Sequence, residues 1–174
     1  MAFVVEDGTG LSNSNAYASV AWVDEYHSTY GNLDWSGSEE QKQAWIVQGA
    51  EYLDLTWGTL FQGMKKEVDP AQALEWPREY VYDDETGVEV NPDAVPELIK
   101  RANAELALVA KRCGLYPATD QPGVRQRTQT AGKLSVSILY SGSQIDVPII
   151  RKVKLLLRGL LKASAGGQAR LVRA

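Results

Sequence analysis

The chain has 174 residues, 44% hydrophobic and 23% charged, which suits one folded domain, or one domain with an extension, and excludes a wholly disordered chain. Its one cysteine, Cys113, excludes an internal disulfide framework. The net charge of −4 hides a split: residues 1–124 hold 8 Lys+Arg and 21 Asp+Glu, whereas residues 125–174 hold 10 Lys+Arg against Asp146 alone. This pattern points to an acidic body with a basic arm, suited to nucleic acid or to an acidic surface on another protein or another copy.

Residues 1–14 are rich in Gly, Ser and Asn and read as an ordered or half-ordered lead without a secretory n-region. Ser19 is placed to cap a first helix, "VAWVDEYHSTY", with Val20, Val23 and Tyr26 or His27 on one face and Gly31 at its stop. Ser38 followed by Gln41 forms a capping-box pattern, and Ile46, Ala50, Leu53 and Trp57 recur at helical spacing, so a second helix is expected over 39–57. A short helix is expected near "PAQAL", then a small hairpin turning at "DDETG". A third helix follows Val95, with Pro96 at its first position. Its buried face is read as Ile99, Ala102, Leu106, Val109, Ala110 and Cys113, and Gly114 closes it.

The next 18 residues, "LYPATDQPGVRQRTQTAG", lack periodicity and read as a boundary loop. Alternation in "KLSVSILYSGSQIDVP" predicts a hairpin that turns at Ser141–Gly142–Ser143 and returns through Ile145 and Val147. Pro148 opens a fourth helix with Ile149, Val153, Leu156 and Leu160 in one stripe and Arg151, Lys152, Lys154, Arg158 and Lys162 around it. The division expected is a helical body over 1–114, a loop over 115–132, and a hairpin, basic helix and C-terminal docking tail over 133–174. The fold class is mainly α: a small bundle of about four helices with a protruding β-hairpin and an extended C-terminal arm.

Catalytic chemistry is not legible. His27, the lone histidine, reads as a surface or boundary residue, and Cys113 as a small core residue. No nucleophile elbow, phosphate loop or zinc-ligand set is present in the sequence, and "DDETGVE" lacks the alternating ligands of a calcium loop. "VKLLLRGLL" is too short and too charged for a membrane span, so a cytoplasmic setting without a membrane is expected. The aromatic residues lie in the acidic half and only Tyr140 in the basic arm, which weakens a base-stacking reading.

"QALEWPREYVYDDETGVEVNPDAVPELIKRANAELAL" (72–108), the opening "VVEDGTGLSNSNAYASV" and the closing "GGQARLVRA" together resemble a family of tailed-phage virion proteins. That family carries a DnaT-like ssDNA-binding label and is similar in layout to head–tail connector, or adaptor, proteins. The resemblance covers nearly the whole chain, and its motifs are structural. It implies a homo-oligomeric ring, commonly a dodecamer, under the portal protein, extending the DNA channel and docking a downstream tail or nozzle protein. It implies no enzyme activity and no cofactor or metal. Its setting would be the virion head–tail interface, reached from the host cytoplasm during assembly, with DNA passing the lumen without specific binding.

The residues expected to bind portal or a neighbour are Arg151, Lys154, Arg158, Lys162, Arg170, Leu171, Val172 and Arg173. Trp76, Pro77 and Arg78 read as a structural motif: Trp76 packs, Pro77 sets an extended turn, and Arg78 bonds backbone carbonyls or an acid. The alternative expectation is a DnaT-like single-stranded DNA-binding protein.

Overall fold

The structure, a computed structural model, describes residues 2–83, 87–116, 127–131, 134–138 and 148–162. Among these the architecture is mainly helical, with four α-helices and small two-stranded antiparallel hairpins.

Helix α1 (Val20–Thr29) starts where Ser19, in extended conformation, accepts the Trp22 N–H at its hydroxyl. Beyond its end Gly31 turns with φ +67, in the left-handed region that glycine enters without a Cβ clash. Helix α2 (Glu39–Trp57) carries the full capping box. The Ser38 hydroxyl accepts the Gln41 N–H and the Gln41 side chain accepts the Ser38 N–H, with Glu39 and Glu40 facing the positive end of the helix dipole.

Helix α3 (Glu97–Cys113) is the axis of the molecule. Pro96 is its N-cap rather than its first helical residue; the proline is extended (ψ 143), and its carbonyl accepts from Ile99 and Lys100. Every residue from Ala102 to Ala110 is buried, because α1, α2 and α4 all pack on α3. Cys113 departs from its expected core place: the apolar wrapping ends at Ala110, and the thiol is exposed in the last turn.

Asn103 ties α3 to α2 and to the segment before α1. Asn103, fully buried, accepts the Tyr17 N–H (3.3 Å) and donates to the Ile46 carbonyl (2.9 Å). Gly49 lies against it, where a Cβ would stand 2.9 Å from Asn103 Nδ2 and 3.1 Å from the Ala107 nitrogen. The helices meet backbone to backbone there.

Helix α4 (Pro148–Leu157) runs into a 3-10 turn (Arg158–Leu160). Val153, Leu157 and Leu160 are buried, whereas Leu156 is only half-buried. The tighter turn explains the change from the expected stripe: at three residues per turn, Leu157 and Leu160 eclipse and both face inward. The basic helix is therefore part of the core. It packs on α3, and the residues after it bridge to the segment after α2: Gln62 N–H donates to the Leu160 carbonyl, and Lys162 N–H to the Leu60 carbonyl.

Strand β1 (Met64–Lys65) pairs antiparallel with β2 (Arg78–Glu79), placing Met64 opposite Glu79. The expected helix at "PAQAL" is absent. Its groups are taken by tertiary partners instead: Ala73 N–H donates to the Leu11 carbonyl, and the Gln72 amide donates to the Leu74 and Pro77 carbonyls. After Val81 the flanking residues pair antiparallel, with Tyr82 bridged to Glu89, while residues 84–86 of the expected "DDETG" turn lie outside the described residues.

Strand pairing in the second half involves a strand that the sequence pattern did not announce. β3 (Arg127–Ala131) pairs antiparallel with β4 (Leu134–Ile138), with Ala131 opposite Leu134 and Arg127 opposite Ile138. The partner strand comes from upstream, out of the expected loop, across only Gly132 and Lys133. A two-residue connection is the commonest hairpin link, and Thr128 and Thr130 supply β-branched character to a stretch too polar to register as a strand. The expected turn at 141–143 and return strand lie outside the described residues.

Candidate functional site

The outer side of α4 carries most of the described basic candidates. Arg151, Lys154 and Arg158 are exposed, and Lys162 follows just beyond the 3-10 turn. Lys162 also works within the chain, its Nζ donating to the Thr59 carbonyl at 3.0 Å. Leu155 stands among these cations 69% exposed, an unusual place for a large apolar side chain beside a row of charges. It borders a groove of about 430 Å³ whose walls include Leu98 of α3, Leu156, Lys152 and Arg158. Arg170, Leu171, Val172 and Arg173 lie outside the described residues.

Lys152 turns inward and ties this helix to the body. It pairs with Glu105, a buried carboxylate on α3 that also accepts the Tyr26 hydroxyl at 2.7 Å. Its ammonium lies 4.8 Å from the Tyr30 ring centre and 5.9 Å from that of Tyr26, so part of its charge faces aromatic π-density. Burial and the neighbouring Glu105 carboxylate push the Tyr26 phenol far above its ordinary value. The sequence did carry a signal for this node, an acid inside the apolar face of α3, but nothing local identified its cation 47 residues away.

On α1, Trp22 stacks on Tyr26 with rings 5.5 Å apart and nearly parallel, and Tyr26 meets Tyr30 at 4.6 Å. These rings wall a second cleft, of about 270 Å³, closed on the α3 side by Glu97 and Arg101. His27, expected near the surface, is fully buried, with its ring 4.9 Å from that of Trp35. The Ala104 carbonyl (3.1 Å) can only accept, which fixes the proton on His27 Nε2 and leaves Nδ1 to accept from the Asn32 amide (3.0 Å). Burial holds its pKa below the ordinary 6.5. The reason for the misplacement is geometric: Tyr26 and His27 both face α3, which presents the Glu105 carboxylate to the first and the Ala104 carbonyl to the second.

Trp76, Pro77 and Arg78 form a clamp around a cis Trp76–Pro77 bond. Trp76 is fully buried with its ring edge-on to Phe61, and its indole Nε1 has no hydrogen-bond partner among the described residues. Arg78 spreads its guanidinium over the Gln62, Gly63 and Glu75 carbonyls and the Glu75 carboxylate. The turn is gripped from the other side by Tyr17 and Asp54. The Tyr17 hydroxyl donates to Asp54, and the Glu75 N–H donates to both of them at 3.0 Å. Burial pushes the Asp54 carboxyl up from 3.8 to about 6. A comparable device organises the lead: the buried Glu6 carboxylate accepts from the Gly8, Gly10 and Leu11 amides and the Ser14 hydroxyl. Sequence reasoning passed over Glu6 and Asp54 because acids in an acidic chain look like surface.

No group of three or more His, Cys, Asp or Glu among the described residues is arranged to hold a metal ion. Among them, too, no helix is long and apolar enough to cross a membrane. Two surfaces stand out among the described residues: the basic and apolar side of α4, and the aromatic cleft between α1 and α3. A family model described as "Putative DnaT-like ssDNA binding protein" matches residues 1–174. The chain belongs to this family. No curated protein and no solved structure matches it. In this DnaT-like chain the fold brings Tyr26 and Tyr30 of the acidic half against Lys152 of the basic helix, an aromatic–cation contact that the linear sequence keeps apart.

Proposed function

We propose that this DnaT-like chain is a structural virion protein, a head–tail connector that assembles as a ring, dodecameric in the layout its resemblance implies, beneath the portal. The observation that carries this reading is the division of labour on α4. Its inner row, Val153 and Leu157, is spent on the body, while Arg151, Lys154 and Arg158 surround an exposed Leu155 beside a 430 Å³ groove. A helix so divided suits docking: apolar area at the centre and charge at the rim. The acidic half of the chain suits a channel wall, since like charge keeps passing DNA from adhering. The role needs no enzyme chemistry, cofactor or membrane, and its place is the head–tail interface of the virion.

The test is co-assembly. The purified chain is mixed with portal rings, and the mass of the complex is read by light scattering. A ring of copies should join the portal, and the Arg151→Glu, Lys154→Glu chain should fail to attach while keeping its thermal stability. Normal attachment of that double variant would sink the role given to α4.

One observation favours a second reading, single-stranded DNA binding: the Tyr30–Lys152 contact together with the family description. That reading expects oligonucleotide binding that weakens linearly with the logarithm of salt. An absence of binding at low salt would remove it.

A further inference from the structure

The cleft between α1 and α3 is the wrong shape of charge for a nucleic acid. Its aromatic wall is Trp22, the edge of Tyr26, and Tyr30, which is 53% exposed. Its rim carries two exposed carboxylates, Glu25 and Glu97; among the described residues Arg101 lines it, 3.5 Å from Glu97, and Lys152 lies against the Tyr30 and Tyr26 rings with its charge paired to Glu105. A phosphate entering here would meet acids. A guanidinium would meet ring faces on which it stacks and carboxylates that accept its fork of donors.

This chain carries such a ligand. "GGQARLVRA" (166–174) places Arg170 and Arg173 on either side of Leu171 and Val172, so two cations flank an apolar pair. From Lys162 to the end there are 12 residues, a reach of about 40 Å when extended. The route out is also informative. Leu160–Lys162 runs antiparallel to Leu60–Gln62, and Lys162 Nζ donates to the Thr59 carbonyl, so the last described residue lies beside the turn that ends α2. That element contributes no residue to the cleft.

We infer that the α1–α3 cleft is a receptor for an arginine-bearing peptide, and that its occupant is the C-terminal segment of a second copy of this chain. Arg170 and Arg173 pair with Glu25 and Glu97, and Leu171 and Val172 cover the aromatic wall. The contact is heterologous: cleft of one copy, tail of the next. Contacts of that kind close into rings when the rotation between copies allows it. The inference rests on the ring reading above and sharpens it, assigning the tail to the neighbouring copy and the α4 face to the portal.

A fluorescein-labelled peptide of residues 166–174 tests this without portal. It is titrated by fluorescence anisotropy into the full chain and into the full chain carrying Arg170→Glu and Arg173→Glu. Weaker apparent binding to the wild-type chain, by a factor that grows with protein concentration, is expected, because the tails of other copies compete for its clefts. Glu25→Arg with Glu97→Gln in the receptor, or glutamine at both arginines of the peptide, should each weaken binding by about tenfold or more. The second change leaves the folded protein untouched.

Three results overturn the inference. One is no saturable binding, or binding indifferent to those substitutions. Another is a preference for the tail-reversed chain that does not change with protein concentration, which makes the cleft's own tail its occupant. The third is displacement of the peptide by oligothymidylate, which makes the cleft a nucleic-acid site. Peptide binding alongside failed portal attachment would sink the connector reading alone, and portal attachment without peptide binding would sink this inference alone.

Discussion

At the scale of single residues, buried acids hold the irregular parts of this chain in place. Asp54 is the most telling, because burial raises its carboxyl from 3.8 to about 6 while Tyr17 and the Glu75 amide bond its oxygens. A carboxyl whose folded pKa is raised stabilises the fold below its unfolded pKa, and that contribution is lost as pH rises through the folded one. The stability gap between the wild-type chain and Asp54→Asn should therefore be widest near pH 4 and narrow above pH 6. The change should be on the order of 2–3 kcal/mol, at about 1.4 kcal/mol per pKa unit. Urea midpoints at pH 4, 5 and 7 read it directly. His27 titrates in the opposite sense, but it is common to both chains and cancels in the difference. A gap that is flat with pH would mean that Asp54 is better solvated than its surroundings suggest.

At the scale of elements, α4 is held by a centre of apolar packing and one polar rivet. Removing Lys152 leaves Glu105 buried without its cation, and truncation of one partner of such a pair costs more than the pair itself contributes. Lys152 is partly exposed, which moderates the loss. Lys152→Met should lower stability by about 1–3 kcal/mol, and adding Glu105→Gln should recover part of that by removing the stranded charge. Chemical denaturation of the two variants checks it. Additive losses would show that Lys152 and Glu105 act independently. The element boundaries were legible wherever a cap spelled them out. Ser38 with Gln41, Ser19, and Gly114 all stand where the helices begin or end. "PAQAL" and the 127–131 strand were not, because the first is organised by Leu11 and Gln72 contacts and the second by a partner strand.

At the scale of the whole molecule, charge and packing divide the chain differently. Charge separates the two halves of the sequence, but packing joins them: Val153, Leu157 and Leu160 sit in the same core as Trp57, Phe61, Trp76 and Leu106. Burying three such side chains contributes on the order of 5–8 kcal/mol, comparable to the entire stability of a small domain. A chain ending at residue 147 should thus lose cooperative unfolding, whereas one ending at Lys162 keeps every α4 contact described above. Differential scanning calorimetry of the two truncations decides between them. A sharp transition in the shorter chain would restore α4 to the status of an arm.

The sequence by itself determined the helical class, the caps, the central apolar helix and the charge split, because each of these follows from neighbours within a few residues. Only the tertiary structure decided where the charges go. Lys152 reaches Glu105 and Tyr30, Arg78 grips three carbonyls, and His27 turns inward to Ala104, each across a separation that local pattern does not encode. The physical reason is common to all three. A buried polar group must find its partner wherever the packed helices present one, and that choice exists only after the helices have met.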